Sequence, residues 1–423
     1  MSILAVCHKP NTVPKMGSKP NGKTPYRFFT DGTLYLVWNG FLNHRRRKSI
    51  VFVFSGRTIM IWRGWGKFQS MVRVELRHLA TINASDRRWQ MPFCAALAMG
   101  LPLLIGAYFE RLDYGLVSSL GGLVFLYSPN TVLSHRMVSL MAAAFGLSAC
   151  YALGVMSHFF PLLLVPVLTF IAILVSMVCR VYAVEPPGSL FFIMAAAIGA
   201  YSPIEVMQVP LYVGLLTMGS LLACLIAFFY SIYILRLQPP QPFTPLPPVT
   251  FDFVIFDSII IGLFVGISLA LAQALQLERA YWVPMSCLAV IQGVSLRAVW
   301  NKQVHRIAGT GLGLLLAWGL LALPLDKWSI SLMMMLLAFL IETLVVRHYG
   351  LAVIFITPLT IFLAEAAQLQ NESQSTMLQA RLLDTVLGSV VGLVGGVCLY
   401  NPHIRKILSR QIYRLFPSQQ NKQ

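Results

Sequence analysis

The sequence is poor in charge, and poorest in acidic residues. Only 11% of its 423 residues are charged, with 15 Asp and Glu against 32 Lys and Arg, whereas a soluble domain carries about 25% charged residues. The polar helix faces that a soluble helical protein needs are also missing. In their place, apolar runs of roughly 17–25 residues, each long enough to cross a bilayer, recur from Met91 to Tyr400. The composition therefore predicts an all-α polytopic membrane protein.

Motifs for enzyme chemistry are lacking as well. None of the seven cysteines forms a C-x-x-C pair, so we expect neither a metal site nor a disulfide framework. The glycine-rich run Gly309–Gly313 lacks the Lys-Ser/Thr ending of a phosphate loop. The net charge of +17 comes without a folded soluble module to present it. We therefore expect no enzyme, no cofactor and no nucleic-acid partner.

The basic excess lies mainly in residues 1–70, which hold 12 of the 32 Lys and Arg and the single acid Asp31. This composition predicts a disordered tail. A second interpretation is a basic segment lying on anionic lipid. A third is that Met71 is the physiological start, so that residues 1–70 are not part of the native protein. In each case we expect residues 71–90 to form a cytoplasmic amphipathic segment.

Hydropathy predicts about 12 transmembrane helices after this segment. Those numbered two, five and eight are short for a bilayer crossing, which suggests that they are broken or tilted. The predicted helices are 91–109, 114–128, 135–156, 159–179, 188–202, 209–236, 252–275, 281–295, 304–323, 329–346, 350–367 and 381–400.

The helices fall into two halves with the same order of features, residues 91–237 and residues 251–402. In each half, Glu-Arg precedes a short span, and His-Arg, at 135–136 and 305–306, opens the next long one. The linker 238–250 is rich in proline and stiff. Because each half has an even number of crossings, we predict two parallel six-helix repeats, followed by a basic cytoplasmic tail, 403–423.

Charge predicts the orientation in the membrane. Most Lys and Arg residues after residue 70 fall on one side of the predicted helices, while only Arg111, Arg279, Lys327 and Arg381 fall on the other. By the positive-inside rule, both termini are cytoplasmic. An aromatic belt at the outer membrane surface is expected to contain Tyr281, Trp282 and Trp328.

The basic residues at the cytoplasmic mouth are candidates for binding an anionic substrate, since arginine binds carboxylates in a planar fork. The sequence offers Arg306, His305, Arg297 and Lys302 in the second half, and Arg136 in the first. The alternative is that they are topological anchors that meet lipid phosphates. On the outer side, Arg381 either pairs with Asp384 on the same helical face or meets substrate.

Two acids are candidates for proton coupling. Glu342 lies deepest in an apolar helix, where an ionisable group is costly and usually functional. The alternative is a structural ion pair, with a partner from another helix because Arg347 lies on a different face. Asp384, in the last helix, is the second candidate.

The motifs of residues 252–402 resemble those of the fusaric-acid-resistance family of inner-membrane proteins, which includes the aromatic acid exporters. Residues 87–237 match the family in layout but weakly in motif, and many members carry a large cytoplasmic domain that the linker has no room for. The membrane part of the plant aluminium-activated malate transporters is similar. Four motifs carry the resemblance: Tyr281-Trp282-Val283-Pro284, Arg306-Ile307-Ala308-Gly309-Thr310-Gly311-Leu312-Gly313, Arg381-Leu382-Leu383-Asp384-Thr385-Val386-Leu387-Gly388 and Asn401-Pro402.

This resemblance implies a multi-pass protein of the bacterial inner membrane, a secondary transporter that exports organic, aromatic carboxylic acids and is driven by protons. Its expected partners are small organic anions, protons and membrane lipids, and its small-residue faces allow a homodimer. An organic-anion channel is the first alternative, and a non-transporting component of cell-envelope assembly is the second.

Overall fold

The computed structural model describes three short stretches near the N-terminus, 26–30, 33–39 and 49–54, and most of the chain after residue 82. The described residues of this larger part are 83–85, 87–241, 252–293, 295–365, 374–403 and 405–406. Residues Met1–Thr81 and Ile82–Gln423 form two compact units, which we describe separately.

The described residues of the first unit form an antiparallel sheet of three strands in the order β1-β2-β3. The strands are β1 (Tyr26–Thr30), β2 (Thr33–Asn39) and β3 (Ser49–Phe54). This differs from the disordered tail that the overall composition favoured. The reason is local, because the aromatic and β-branched residues of YRFFT, TLYLVWN and SIVFVF favour strands. Whether residues 1–70 belong to the native protein stays a prediction.

The described residues of the second unit are helical and contain twelve α-helices of ten or more residues. The first half contains α1 (Gln90–Tyr108), α2 (Leu112–Gly122), α3 (Leu133–His158), α4 (Pro161–Val181), α5 (Leu190–Ala200) and α6 (Val209–Leu237). The second half contains α7 (Asp257–Ala274), α8 (Trp282–Ile291), α9 (Leu296–Leu321), α10 (Lys327–Leu344), α11 (Tyr349–Glu365) and α12 (Gln374–Tyr400). Each lies at a position that hydropathy predicted.

Eight of the helices in the described residues are long and apolar enough to cross a membrane. The other four apolar segments are shorter: Leu112–Tyr127, Leu190–Ala200, Trp282–Ile291 and Tyr349–Leu363. The all-helical, multi-pass prediction is confirmed for this unit, while twelve crossings stay a prediction. Large apolar side chains remain exposed on outward helix faces, as lipid contact requires; Leu162 is 93% exposed and Phe145 77%.

The short helices α5 and α8 lie in the interior. Every residue of α8 is buried, and α8 packs against α5, α7, α9 and α12. At about 1.5 Å per residue, ten residues cover about 15 Å, roughly half of a bilayer core. The ends of α8 therefore bring polar groups into the interior of the helix bundle.

The two halves use the same pairs of helices. In the first half, α2 packs on α6 and α3 on α5; in the second, α8 packs on α12 and α9 on α11. Between the halves, α1 packs on α10 and α4 on α7. Glycines make these approaches close. A Cβ on Gly100 of α1 would lie 2.8 Å from the side chain of Met335, and one on Gly392 of α12 would lie 2.6 Å from the Cys287 carbonyl oxygen of α8.

Local signals in the sequence fix two helix starts near the site. Ser295 caps α9, because its hydroxyl accepts a hydrogen bond from the Ala298 amide at 3.2 Å. Asp326 caps α10 in the same way, with the Ser329 amide at 3.0 Å. The hydrogen bonds from Ser329 lower the pKa of the Asp326 carboxyl from its ordinary value.

Candidate functional site

Arg306 lies on the buried face of α9. It is ten residues from Leu296, about 15 Å along the helix at about 1.5 Å per residue. The same face carries Gly309 and Gly313, where an added Cβ would come within 2.8 Å of Val353 and 2.7 Å of the Ile354 carbonyl oxygen, both on α11. This close packing leaves Arg306 only 8% exposed.

The guanidinium of Arg306 has no counter-charge in the described part of the chain. Its Nε is buried and donates no hydrogen bond there, and no described carboxylate forms an ion pair with it. A buried donor of a charged group that makes no hydrogen bond is costly, so such donors usually meet a ligand, an ion or water. An arginine in this position is suited to bind an anion.

The other predicted basic residues of α9 do not join Arg306. Arg297 is exposed at the start of the helix. Lys302 is half-buried, and its Nζ donates to the Gln292 carbonyl oxygen at 3.4 Å, beyond the end of α8. His305 faces the start of α11, with its ring centroid 4.9 Å from that of His348. Arg297 and His305 therefore lie on other faces of α9 than Arg306, whereas Lys302, one turn before Arg306 on the same face, directs its Nζ to the end of α8.

Arg136, the predicted counterpart of Arg306, lies in the first turn of α3, three residues from Leu133, whereas Arg306 lies ten residues into α9. Arg136 is 4% exposed, and it interacts electrostatically with Tyr230 of α6. Unlike Arg306, it has a hydrogen bond from its Nε, to the Thr131 carbonyl oxygen at 2.7 Å. The first-half arginine is thus tied to its own loop.

Glu342 is held in an ion pair. Nη1 of Arg87, just before α1, lies 3.2 Å from its Oε2, and the same nitrogen donates to the Glu342 carbonyl oxygen at 3.5 Å. The partner comes from another part of the chain, as expected from the poor geometry of Arg347. The pair favours the structural interpretation of Glu342 over the proton-carrying one.

Arg381 of α12 is buried at 2% exposure and stacks on an indole. Its Cζ lies 3.5 Å from the ring centroid of Trp282, and its Nη2 donates to Thr360 Oγ1 of α11 at 2.9 Å. The prediction that Trp282 belongs to a surface aromatic belt is wrong. The residue is 1% exposed, because α8 is enclosed on all sides.

Asp384, one helical turn from Arg381, is 1% exposed. Neither carboxylate oxygen accepts a hydrogen bond from the described residues, so the direct hydrogen-bonded pair with Arg381 that the spacing suggested does not form. The guanidinium points instead to α8 and α11. Asp384 interacts electrostatically with the charged groups of Arg381, Arg279 and Glu278. It is therefore a buried acid near two cations, without a hydrogen bond to satisfy it.

Sequence reasoning missed a second ion-pair centre. Asp257, at the start of α7, lies 3.2 Å from Nη1 of Arg180 at the end of α4 and 3.1 Å from Nη1 of Arg405. No sequence signal was available, since the partners lie far apart along the chain and meet only when the two halves pack.

The comparisons with known proteins point to the half that carries Arg306 and Asp384. Residues 267–395 match the family described as fusaric acid resistance protein-like. This segment is similar to that family. The resemblance expected from the sequence is thereby confirmed, and the fusaric-acid-resistance-like segment includes Arg306, Glu342, Arg381 and Asp384, whereas Arg136 lies outside it.

Two relatives match over about a third of the chain. The uncharacterized membrane protein YvaC of Bacillus subtilis (strain 168) is 33% identical over 147 residues, 34% of this chain and 23% of that protein. The uncharacterized protein YhfK of Escherichia coli (strain K12) is 27% identical over 141 residues, 33% of this chain and 19% of that protein. The match thus spans less than a quarter of each relative. No solved structure matches the chain.

Proposed function

We propose that this protein is a secondary transporter that moves organic carboxylates across the membrane. The observation that carries the proposal is Arg306, a residue only 8% exposed whose Nε is buried and has no hydrogen-bond partner in the described residues. A carboxylate would supply the missing counter-charge and accept hydrogen bonds in the planar fork of an arginine. Transport requires no conversion of the substrate and no cofactor.

Proton coupling is part of the proposal and has separate support. Asp384 is a buried acid whose oxygens accept no hydrogen bond from described residues. The second half therefore carries an arginine, Arg306, and an acid, Asp384, each with buried polar atoms that have no hydrogen-bond partner in the described residues. We assign this role to Asp384 and not to Glu342, because Glu342 is held in an ion pair by Arg87.

The proposed substrate class is aromatic, and the proposed direction is export. The description of the matching family names resistance to fusaric acid, which is an aromatic carboxylic acid. Both the class and the direction depend on the family resemblance, since no described contact is specific for an aromatic ring.

The proposed architecture has twelve crossings in two parallel six-helix repeats, in a bacterial inner membrane with both termini cytoplasmic. The equal helix pairs of the two halves support it. So do the two ion pairs between the halves, Arg180–Asp257 between α4 and α7 and Arg87–Glu342 between α1 and α10. In the first pair the arginine lies at the end of α4 and the acid at the start of α7. In the second pair the acid lies near the end of α10 and the arginine just before α1, so the two pairs have equivalent positions and opposite assignments of charge. Lipids and a second copy of the chain are proposed partners on the outward small-residue faces.

The test is flux of radiolabelled benzoate in liposomes that contain the purified protein, with acetate as the non-aromatic control. The wild type is expected to move benzoate faster than acetate. Replacing Arg306 with Gln removes a charge-assisted interaction that contributes about 1.5–3 kcal/mol, so benzoate flux should fall about tenfold or more. Arg306→Lys keeps the charge without the fork and should lie in between.

Arg297→Gln is the matched control, because it removes an arginine from the same helix at an exposed position. Its flux should stay close to that of the wild type. Equal losses in both variants would mean that only general positive charge matters. Voltage-dependent benzoate currents without proton movement would favour the channel alternative, and no flux of any organic anion in the wild type would favour the envelope-assembly alternative.

A further inference from the structure

The contact between α8 and α12 contains an unusual group of buried polar atoms. Besides the two oxygens of Asp384, the indole Nε1 of Trp282, the hydroxyl of Ser286 and the hydroxyl of Ser389 are buried and have no hydrogen-bond partner in the described residues. In folded proteins such atoms are rare, and when they are grouped they usually surround bound water.

The two helices that carry these atoms pack together and cross closely at a glycine. A Cβ on Gly388 of α12 would lie 2.8 Å from the Cβ of Ser286 on α8. Trp282 is one helical turn from Ser286, and Asp384 is one turn from Gly388, so both pairs lie on facing sides of the crossing. A carboxylate, two hydroxyls and an indole N–H offer both donors and acceptors to a water molecule, which typically makes about three hydrogen bonds in a protein interior.

The charges around Asp384 favour a proton over a metal ion. Arg381 on its own helix and Arg279 before α8 are cationic, and Glu278 is the other acid that acts on Asp384. Among the described residues, no group of three or more His, Cys, Asp and Glu side chains that could hold a metal ion occurs. A sodium ion would meet two positive guanidinium groups, whereas a proton neutralises the carboxylate and converts it into a hydrogen-bond donor.

We infer that α8 and α12 enclose a hydrated site in which Asp384 binds the proton that accompanies transport. The site lies on the outer half of the predicted topology, apart from the inner Arg306, so proton and anion occupy separate places in the second half. Arg381 stacks on Trp282 and donates a hydrogen bond to Thr360 of α11, and Arg279 interacts electrostatically with Asp384. The inference rests on the proposed transport function for its role, but not for the binding of the proton itself.

Infrared difference spectroscopy between high and low pH tests proton binding without any transported substrate. The wild type is expected to give a carboxylic-acid C=O band that Asp384→Asn lacks. Glu342→Gln, which removes the acid paired with Arg87, should keep this band. Full retention of the band in Asp384→Asn would overturn the assignment to Asp384, whatever the protein transports.

Proton flux in benzoate-loaded liposomes with an internal pH dye tests the role in transport. We expect Asp384→Asn to lose benzoate-dependent proton flux and the pH dependence of benzoate flux. Asp384→Glu, which restores a carboxyl group, should recover both, and Glu342→Gln should retain both. Unchanged proton flux in Asp384→Asn, or failure of Asp384→Glu to recover it in folded protein, would overturn the inference. Flux that depends on sodium rather than on pH would do the same.

If the wild type moves no organic anion but keeps the Asp384-dependent infrared band, the transport proposal fails while the proton site stands. If it moves benzoate without that band, the transport proposal stands and the proton site fails. The two proposals are therefore decided separately.

Discussion

The buried ionisable residues differ in what surrounds them, and this difference separates structural from functional charges. Glu342, Asp257 and Arg136 each have a partner of opposite charge or a carbonyl oxygen within 3.2 Å. Arg306 is 8% exposed and Asp384 1%. Nε of Arg306 and both carboxylate oxygens of Asp384 nevertheless lack such hydrogen bonds in the described residues. A charge without a partner costs more than it contributes to folding, so binding is the better explanation for these two.

The Arg87–Glu342 pair predicts unequal effects of its two substitutions. The Glu342 side chain is 11% exposed and that of Arg87 is 32% exposed. Arg87→Gln leaves a buried carboxylate without its cation and should cost about 1–3 kcal/mol in stability, whereas Glu342→Gln leaves the partly hydrated Arg87 and should cost less. Thermal unfolding of the purified variants measures this.

The double variant Arg87→Gln/Glu342→Gln is the control, since it removes both charges. It should be more stable than Arg87→Gln alone, because no uncompensated charge remains in the interior. Equal thermal unfolding midpoints for Arg87→Gln and Glu342→Gln would contradict the argument that the more deeply buried member of the pair depends more on its partner.

At the scale of elements, the close crossings of helices depend on glycine. A Cβ on Gly388 would lie 2.8 Å from the Cβ of Ser286 and 3.1 Å from the Cys287 amide nitrogen. The second obstacle is backbone, so α8 and α12 would have to separate. We expect Gly388→Ala to cost about 1–3 kcal/mol, the usual range for overpacking.

Gly311→Ala on α9 is the matched control, because nothing lies within 4 Å of an added Cβ there. Alanine should be neutral or stabilising at this position, by up to about 1 kcal/mol, since it is the better helix former. The check is thermal unfolding of both variants in detergent. A larger loss at Gly311 than at Gly388 would contradict the crossing geometry.

The elements were predictable from the sequence and their contacts were not. Hydropathy located all twelve apolar helices because each reflects a local run of residues. Trp282 was expected at the membrane surface, and only the packing of four helices around α8 explains its burial. The partner of Glu342 is 255 residues away in the sequence, and nothing local to Arg87 indicates the pairing.

The same limit applies to the candidate site. Arg306 and Asp384 were found from their positions in apolar helices, where ionisable residues are costly. Their lack of hydrogen bonds could not be predicted, because it depends on which groups from α8, α11 and α12 reach them. The grouping of Arg297 and His305 with Arg306 followed from proximity in sequence, and the helix separates them, whereas Lys302 shares the face of Arg306.

For the whole molecule, orientation in the membrane follows from the positive-inside rule and can be measured directly. Glu205, in the loop after α5, and Arg297, at the start of α9, are both exposed and lie on opposite predicted sides. In a variant whose seven cysteines are replaced by serine, Glu205→Cys should react with a membrane-impermeant maleimide in intact cells, and Arg297→Cys only after lysis. The reverse labelling pattern would mean that the predicted topology is inverted and that Arg306 lies near the outer side.

The central claim is that Arg306 binds an organic carboxylate, and the most direct measurement is the thermal unfolding midpoint of the purified protein against benzoate concentration. A ligand that binds only the folded state raises the free energy of unfolding by about 2.7 kcal/mol when its concentration is about a hundred times its dissociation constant. We predict that benzoate raises the midpoint of the wild type and of Arg297→Gln, and leaves that of Arg306→Gln unchanged. An equal rise in folded Arg306→Gln would contradict the account.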